Sequence, residues 1–157
     1  AADLKRAKLE QLEKALETLP WVASIDKFQH WIYTTKHTAQ QRKEKWLTIS
    51  SELGNQILDW EGNENVHANL WQKQLHLYEV PFYYVEYGMA QLGAIAMWRS
   101  YKQIGEKGLD NYMDALKLGY TKTIGEIYET AGIKFDFSAR YVKELANFIK
   151  EELEKLR

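Results

Sequence analysis

The sequence predicts an all-α chain folded as a compact multi-helix domain. Three observations carry this. Only two prolines, Pro20 and Pro81, interrupt 157 residues. Long stretches are rich in Ala, Leu, Glu, Lys and Gln, side chains that lose little on entering a helix. Helix-end chemistry recurs between them. Thr38 with Gln41 and Thr123 with Glu126 have the spacing of capping boxes, and Gly54, Gly119 and Gly132 are natural stops.

The elements follow in order. A first helix is expected over about Asp3–Thr18, with Leu4, Leu9, Leu12, Leu16 and Leu19 near one face. Pro20 suits the first turn of a second helix. That helix, PWVASIDKFQHWIYTT, is apolar on most sides through Val22, Ile25, Phe28 and Ile32. Thr38 opens a third helix that Gly54 ends. From Asn55 to about Ala68, the segment containing WEGNENVHAN reads as loop. A helical segment leads from Leu70 to Pro81, where the ring forces a kink or a fresh start. The next helix is expected to reach about Glu106, with Gly108 just past its end. LDNYMDALKL then forms a helix stopped by Gly119. Another starts at the Thr123 box and stops at Gly132. Ser138 caps the last, in which Val142, Leu145, Phe148, Ile149 and Leu153 line the buried face. With no repeat and no low-complexity linker, residues 1–157 read as one helical domain.

Composition excludes several function classes. The chain is 45% hydrophobic and 27% charged, so it is not a disordered polar tract. Its longest uncharged run, between Tyr87 and Arg99, is too short for a membrane helix of ~20 residues. The opening AADLKRAKLE is charged where a secretory signal needs an apolar core. Lysine and arginine total 21 against 22 acidic residues, which offers no basic surface for nucleic acid. Cysteine is absent, removing disulfides, thiolate metal sites and cysteine nucleophiles. A cytoplasmic protein with neither nucleic-acid nor membrane partners is expected.

No complete catalytic apparatus can be assembled from the motifs. The histidines are His30, His37, His67 and His76. None forms HExxH, and none has a second histidine three or four residues away. His76, Glu79 and Glu86 could serve a dinuclear metal site only with partners from other helices. No phosphate loop or GxSxG occurs, and the glycines of GMAQLGA read as close-packing positions. The unusual stretch is HLYEVPFYYVEYG, residues 76–88. On a helix starting near Pro81, Tyr83 and Tyr87, and Tyr84 and Tyr87, share an edge. Such phenols either fill a core with their hydroxyls at its rim or donate hydrogen bonds to a developing oxyanion, with the imidazole beside them. Spacing leaves both open.

Several long blocks bear on that choice. LPWVASIDKFQHWIY, HTAQQRKEKW, LWQKQLHLYEVPFYYVEYGMAQLGAIAMW and LKLGYTKTIGEIYETAGIKFDFS occur in this order. Together they resemble the C-terminal part of the M3 family of zinc metallopeptidases, the oligoendopeptidase F group. The resemblance implies a mostly helical fold with a channel for oligopeptide substrates. It implies zinc in the intact parent enzyme, held by HExxH and a glutamate on a following helix, upstream of Ala1. Zinc ligands are therefore not expected in this chain, and the chain alone is expected to be inactive. The resemblance also implies that His76, Tyr84 and Tyr87 contact substrate and stabilise the tetrahedral intermediate, with Tyr83 and Tyr78 as further substrate-binding candidates. Phe28, Trp31 and Trp71 are expected to pack. The start at Ala1 then reads as a truncation, whose partner is the missing N-terminal part of the enzyme. Apolar surface left by that part predicts self-association. The alternative is a non-enzymatic helical module that binds peptides or partners.

Overall fold

The computed structural model describes residues 2–156, and among them all regular structure is helical. The elements are α1 (Ala2–Thr34), α2 (Ala39–Leu53), α3 (Glu64–Asn69), a 3-10 turn (Leu70–Lys73), α4 (His76–Glu79), α5 (Val85–Ile104), α6 (Glu106–Leu118), α7 (Ile124–Thr130) and α8 (Ala139–Glu154). The chain divides into two compact units. One is Leu16–Gly88; the other joins residues up to Ala15 with those from Met89 onward.

The break expected at Pro20 does not occur, because α1 runs through it. Proline has no N–H, so one turn of the helix loses its usual hydrogen bond. Burial outweighs that loss. Beyond Pro20 the helix places Val22, Ile25 and Phe28 in the core at 0–3% exposure, and each such side chain contributes about 1.5–3 kcal/mol. The Ser24 hydroxyl donates to the Pro20 carbonyl at 2.8 Å. The division between units falls at Ala15 and Leu16, about one turn before the proline. Of the first predicted apolar face, Leu12 is buried but Leu4 is exposed.

The core of Leu16–Gly88 is aromatic. Ile25, Phe28, Trp46, Ile49, Trp71 and Leu77 are buried together, with Trp21, Trp31 and Tyr84 packed on their margin. Trp46 is fixed by its indole N–H, which donates to the His67 carbonyl at 3.0 Å. The Thr38 capping box forms in both directions: Gln41 N–H donates to Thr38 Oγ1 at 3.2 Å, and Thr38 N–H donates to Gln41 Oε1 at 2.8 Å. Gly54 closes α2 with extended backbone, φ −79°. Its role is space: a Cβ there would lie 2.5 Å from the Ser50 carbonyl oxygen. Gly54→Ala is therefore expected to cost about 1–3 kcal/mol, as overpacking does, measured by chemical denaturation.

Two boundaries in this unit differ from expectation. The loop ends at Asn63, because ENVHAN forms α3 with Glu64 in its first turn, where a carboxylate favours the helix dipole. The segment from Leu70 to Pro81 is not one helix. Gln74 is extended (φ −86°, ψ 91°) and separates the 3-10 turn from the short α4.

The other unit packs its share of α5 with α6, α7 and α8. The helix α5 stops at Ile104 rather than Glu106, because Gly105 turns left-handed at φ 59°. Gly108, expected beyond a helix end, is buried inside α6, where a Cβ would meet Tyr101 backbone at 3.1 Å. The Thr123–Glu126 box opens α7 as expected. In α8, Tyr141, Leu145, Ile149 and Leu153 are buried, while Val142 and Phe148 are half-buried. Phe148 rests on Trp98 at 4.9 Å.

Buried Glu152 on α8 pairs with Lys155 at 2.6 Å and with Lys102 of α5 at 3.0 Å. The Lys155 hydrogen bond, opposed by burial and helped by Lys102, holds its carboxyl below the ordinary carboxylate value of 4.5. A carboxylate pKa lowered by folding contributes stability above that ordinary value and loses it as pH falls. Glu152→Gln is therefore expected to flatten the decline of Tm on acidification below about pH 4.5. A Tm series across pH 7 to 3 on both proteins checks it.

Candidate functional site

The stretch from residue 74 to residue 88 is built around one buried anchor. Leu77 of α4 is fully buried in the aromatic core, and the Tyr33 hydroxyl donates to its carbonyl. That anchor fixes its neighbours: His76 is half-buried and Tyr78 is exposed. After Glu79 the helix fails. Val80 leaves helical geometry, Pro81 follows, and Phe82 takes φ +65°.

A left-handed phenylalanine costs roughly 1–2 kcal/mol, so something must hold it. Gln29, fully buried on α1, accepts a hydrogen bond from the Phe82 N–H at 2.9 Å. Its own amide donates to Asp26 at 3.0 Å, which sets which end of Gln29 faces Phe82. The Phe82 ring lies between His30 (4.9 Å) and Tyr33 (5.7 Å). Gln29→Leu would leave that N–H without its acceptor. A loss of about 1–3 kcal/mol is expected, with faster amide exchange at Phe82.

From this corner the chain enters α5 through short turns, in which Glu86 N–H donates to the Tyr83 carbonyl and Tyr87 N–H to the Tyr84 carbonyl. Tyr83 and Tyr84 therefore precede the helix rather than lying on it, yet their rings still meet Tyr87, at 5.9 and 5.2 Å. His76 touches all three: Tyr83 at 6.3 Å and nearly parallel, Tyr84 at 5.0 Å, and Tyr87 at 5.5 Å edge-on. His76 Nε2 is 3.3 Å from the Tyr87 hydroxyl. Tyr78 is not in this group; its ring stacks on Trp71.

The three phenols differ in setting. Tyr83 and Tyr87 are 44% and 45% exposed, and Tyr84 is half-buried. Burial pushes the Tyr84 phenol above its ordinary pKa, with the Trp21 indole N–H opposing and Tyr87 reinforcing. Burial likewise raises Tyr78. Both stay protonated at neutral pH and can donate. The cluster thus offers an imidazole and three phenols on an accessible face, a set suited to hydrogen-bonding a carbonyl or an oxyanion without adding charge.

Sequence reasoning missed the residues behind this face. Gln74 reaches His76 Nδ1 at 2.7 Å. Trp21 donates its indole N–H to Gln74 Oε1 at 3.1 Å, and Lys73 sits 4.5 Å over the Trp21 ring. No local motif marks these residues, because Trp21 and Gln74 are 53 positions apart.

Two other features are distinct from the His–Tyr face. A cavity of about 410 Å³ in the same unit is lined by Trp21, Trp46, Trp60 and Ser50 among others. Beside it, Ser50 Oγ lies 2.7 Å from His67 Nε2, and Trp60 stacks on the imidazole at 4.3 Å. Burial lowers the His67 pKa, favouring the neutral ring. In the other unit, an apolar cavity of about 480 Å³ lies among α5, α6 and α7. Among the described residues, no group of three or more His, Asp or Glu side chains is placed to hold a metal ion; His76, Glu79 and Glu86 form no such site. The GMAQLGA glycines pack closely, with a Gly88 Cβ 3.0 Å from Val22 and a Gly93 Cβ 2.5 Å from the Tyr128 hydroxyl.

Comparison with known proteins gives the lineage. No curated protein matches the chain. Among solved structures, PZ peptidase A with an inhibitor aligns at a TM-score of 0.87 and 25% identity, over 98% of this chain and 28% of that one. An X-ray structure described as oligoendopeptidase F aligns at 0.81 and 25% identity, over 98% and 27%. The chain thus spans just over a quarter of the length of these relatives. The family model for peptidase family M3 matches residues 2–147. With nearly all of its length matched, the chain belongs to peptidase family M3.

Proposed function

We propose that this chain is the C-terminal portion of a zinc metalloendopeptidase that hydrolyses oligopeptides, and that His76, Tyr84 and Tyr87 form its substrate-facing wall. The observation that carries this is the convergence of one imidazole and the tyrosine rings within 5.0–6.3 Å, in a chain of a peptidase family. Tyr83 shares that face, while Tyr78, the further substrate-binding candidate, stacks on Trp71 apart from it. Zinc in the intact enzyme would polarise the scissile carbonyl and activate water. The residues described here do not fit a zinc site, so its ligands would come from the rest of the enzyme. The part of this chain is then binding: neutral donors orient the peptide carbonyl and favour the oxyanion over the planar ground state.

On this reading the purified chain with zinc and a fluorogenic oligopeptide gives no turnover. Chelator-sensitive hydrolysis by the chain alone would overturn it. An HExxH sequence and a glutamate-bearing helix upstream in the reading frame would support the peptidase.

A second reading is a module that binds peptides without cutting them. The observation behind it is that His76 and the three tyrosine rings all meet within this chain. Oligopeptide affinity in the isolated chain that falls in His76→Ala, without an upstream HExxH, would favour the module. Among the described residues, no helix is long and apolar enough to cross a membrane. We place the protein in the cytoplasm as part of the same proposal. Leu109, Met113, Leu116 and Ile124 are exposed at 43–59%. Self-association of the isolated chain is therefore expected, and a clean monomer by light scattering at high concentration would contradict it.

A further inference from the structure

Gln74 contacts the ring nitrogen of His76 that is turned away from Tyr87. In a continuous helix, residues two apart point in different directions. The extended backbone at Gln74 breaks the helix just before α4, and so lets the two side chains meet.

The proton positions then follow from donor and acceptor chemistry. An indole N–H can only donate. The atom of Gln74 facing Trp21 at 3.1 Å is therefore its carbonyl oxygen. That turns the amide NH₂ of Gln74 toward His76 Nδ1, 2.7 Å away. An amide NH₂ also can only donate, so Nδ1 must accept and carry no proton. The neutral imidazole then bears its proton on Nε2, which faces the Tyr87 oxygen at 3.3 Å. Tyr87 accepts from the histidine, and its own O–H remains a donor. The indole that starts this chain is held from two sides, by Lys73 at 4.5 Å over the ring and by Trp46 edge-on at 5.6 Å.

We propose that Gln74, oriented by Trp21, is a positioning residue that fixes the His76 proton on Nε2 and so makes His76 and Tyr87 successive donors toward a peptide carbonyl. Its use in catalysis rests on the proposed peptidase wall, but the tautomer itself does not.

The test is ¹⁵N NMR of the isolated chain at a pH where its histidines are neutral, with His76 assigned by loss of its signals in His76→Asn. The expected spectrum shows a pyridine-like Nδ1 and a pyrrole-like Nε2. Gln74→Glu offers Nδ1 a carboxylate in place of a donor while still accepting from Trp21, so the two ring-nitrogen shifts are expected to exchange. A proton on Nδ1 in the unmodified chain would overturn the proposal. So would an unchanged tautomer in folded Gln74→Glu. If that variant does not fold, the unmodified chain still decides. A scalar coupling between Gln74 Nε2 and His76 Nδ1 is expected across the N–H···N bond, and its absence would overturn the role of Gln74. None of these readouts uses peptide, zinc or turnover. A failed peptide assay with a passed tautomer test would therefore count against the peptidase wall alone.

Discussion

Phe28→Ala is expected to lower the free energy of unfolding by about 3–5 kcal/mol, the range for deleting a buried aromatic ring. Phe28 is fully buried, and three indoles surround it: Trp71 at 5.0 Å, Trp46 at 5.4 Å and Trp31 at 6.3 Å. The cost depends on how far the surroundings can collapse into the space left. Here they can collapse little. Trp46 is tied by its indole N–H to the His67 carbonyl and packs edge-on to Trp21, while Trp71 carries Tyr78 against its ring. Against a total stability of ~5–15 kcal/mol, such a loss removes roughly a fifth or more of the margin. The measurement is the midpoint of denaturant unfolding at unchanged m-value. A loss below about 1 kcal/mol would show that the indoles close over the gap. Because Leu77 shares this core and sits next to His76, the variant is also expected to loosen the His–Tyr face.

What the sequence disclosed follows the range of the forces involved. The capping boxes at Thr38 and Thr123 and the stops at Gly54, Gly119 and Gly132 were legible because a cap is settled within four or five residues. Pro20 was misread because its effect is decided by burial: the penalty is local, but the offset comes from Val22, Ile25 and Phe28 meeting residues far along the chain. The stop near Gly108 was misplaced for a related reason. Gly105 supplies the left-handed turn, whereas Gly108 is small because Tyr101 backbone lies against it, and composition does not separate those two uses. At the candidate site, i,i+3 and i,i+4 spacing grouped the tyrosines, and their grouping survives even though Tyr83 and Tyr84 precede α5. Gln74 and Gln29 were invisible. Each acts on a residue in another segment or across a helix break, and a lone glutamine on a helical stretch carries no signal of a buried clamp.

In an enzyme that contains the rest of the peptidase, Tyr87→Phe is expected to reduce kcat by about 10²–10³-fold with little change in KM, the range for losing one oxyanion donor. The prediction rests on the proposed wall, and the geometry chooses among its phenols. Tyr87 is accessible, and its oxygen faces His76 Nε2, which leaves its O–H to donate outward. Tyr84 is half-buried, with its oxygen near the Trp21 indole N–H and its ring against the core. Tyr84→Phe is therefore expected to cost less turnover and more stability. Phenylalanine at 87 keeps the ring contacts with Tyr83, Tyr84 and His76, so Tm is expected to stay nearly unchanged. Loss of a donor that acts mainly in the transition state lowers kcat and kcat/KM together, whereas loss of one that binds substrate and transition state equally raises KM alone. Steady-state kinetics on an internally quenched oligopeptide separate these cases. A tenfold rise in KM at constant kcat would make Tyr87 a peptide-binding group instead, and a change below about fivefold in both would remove it from the wall.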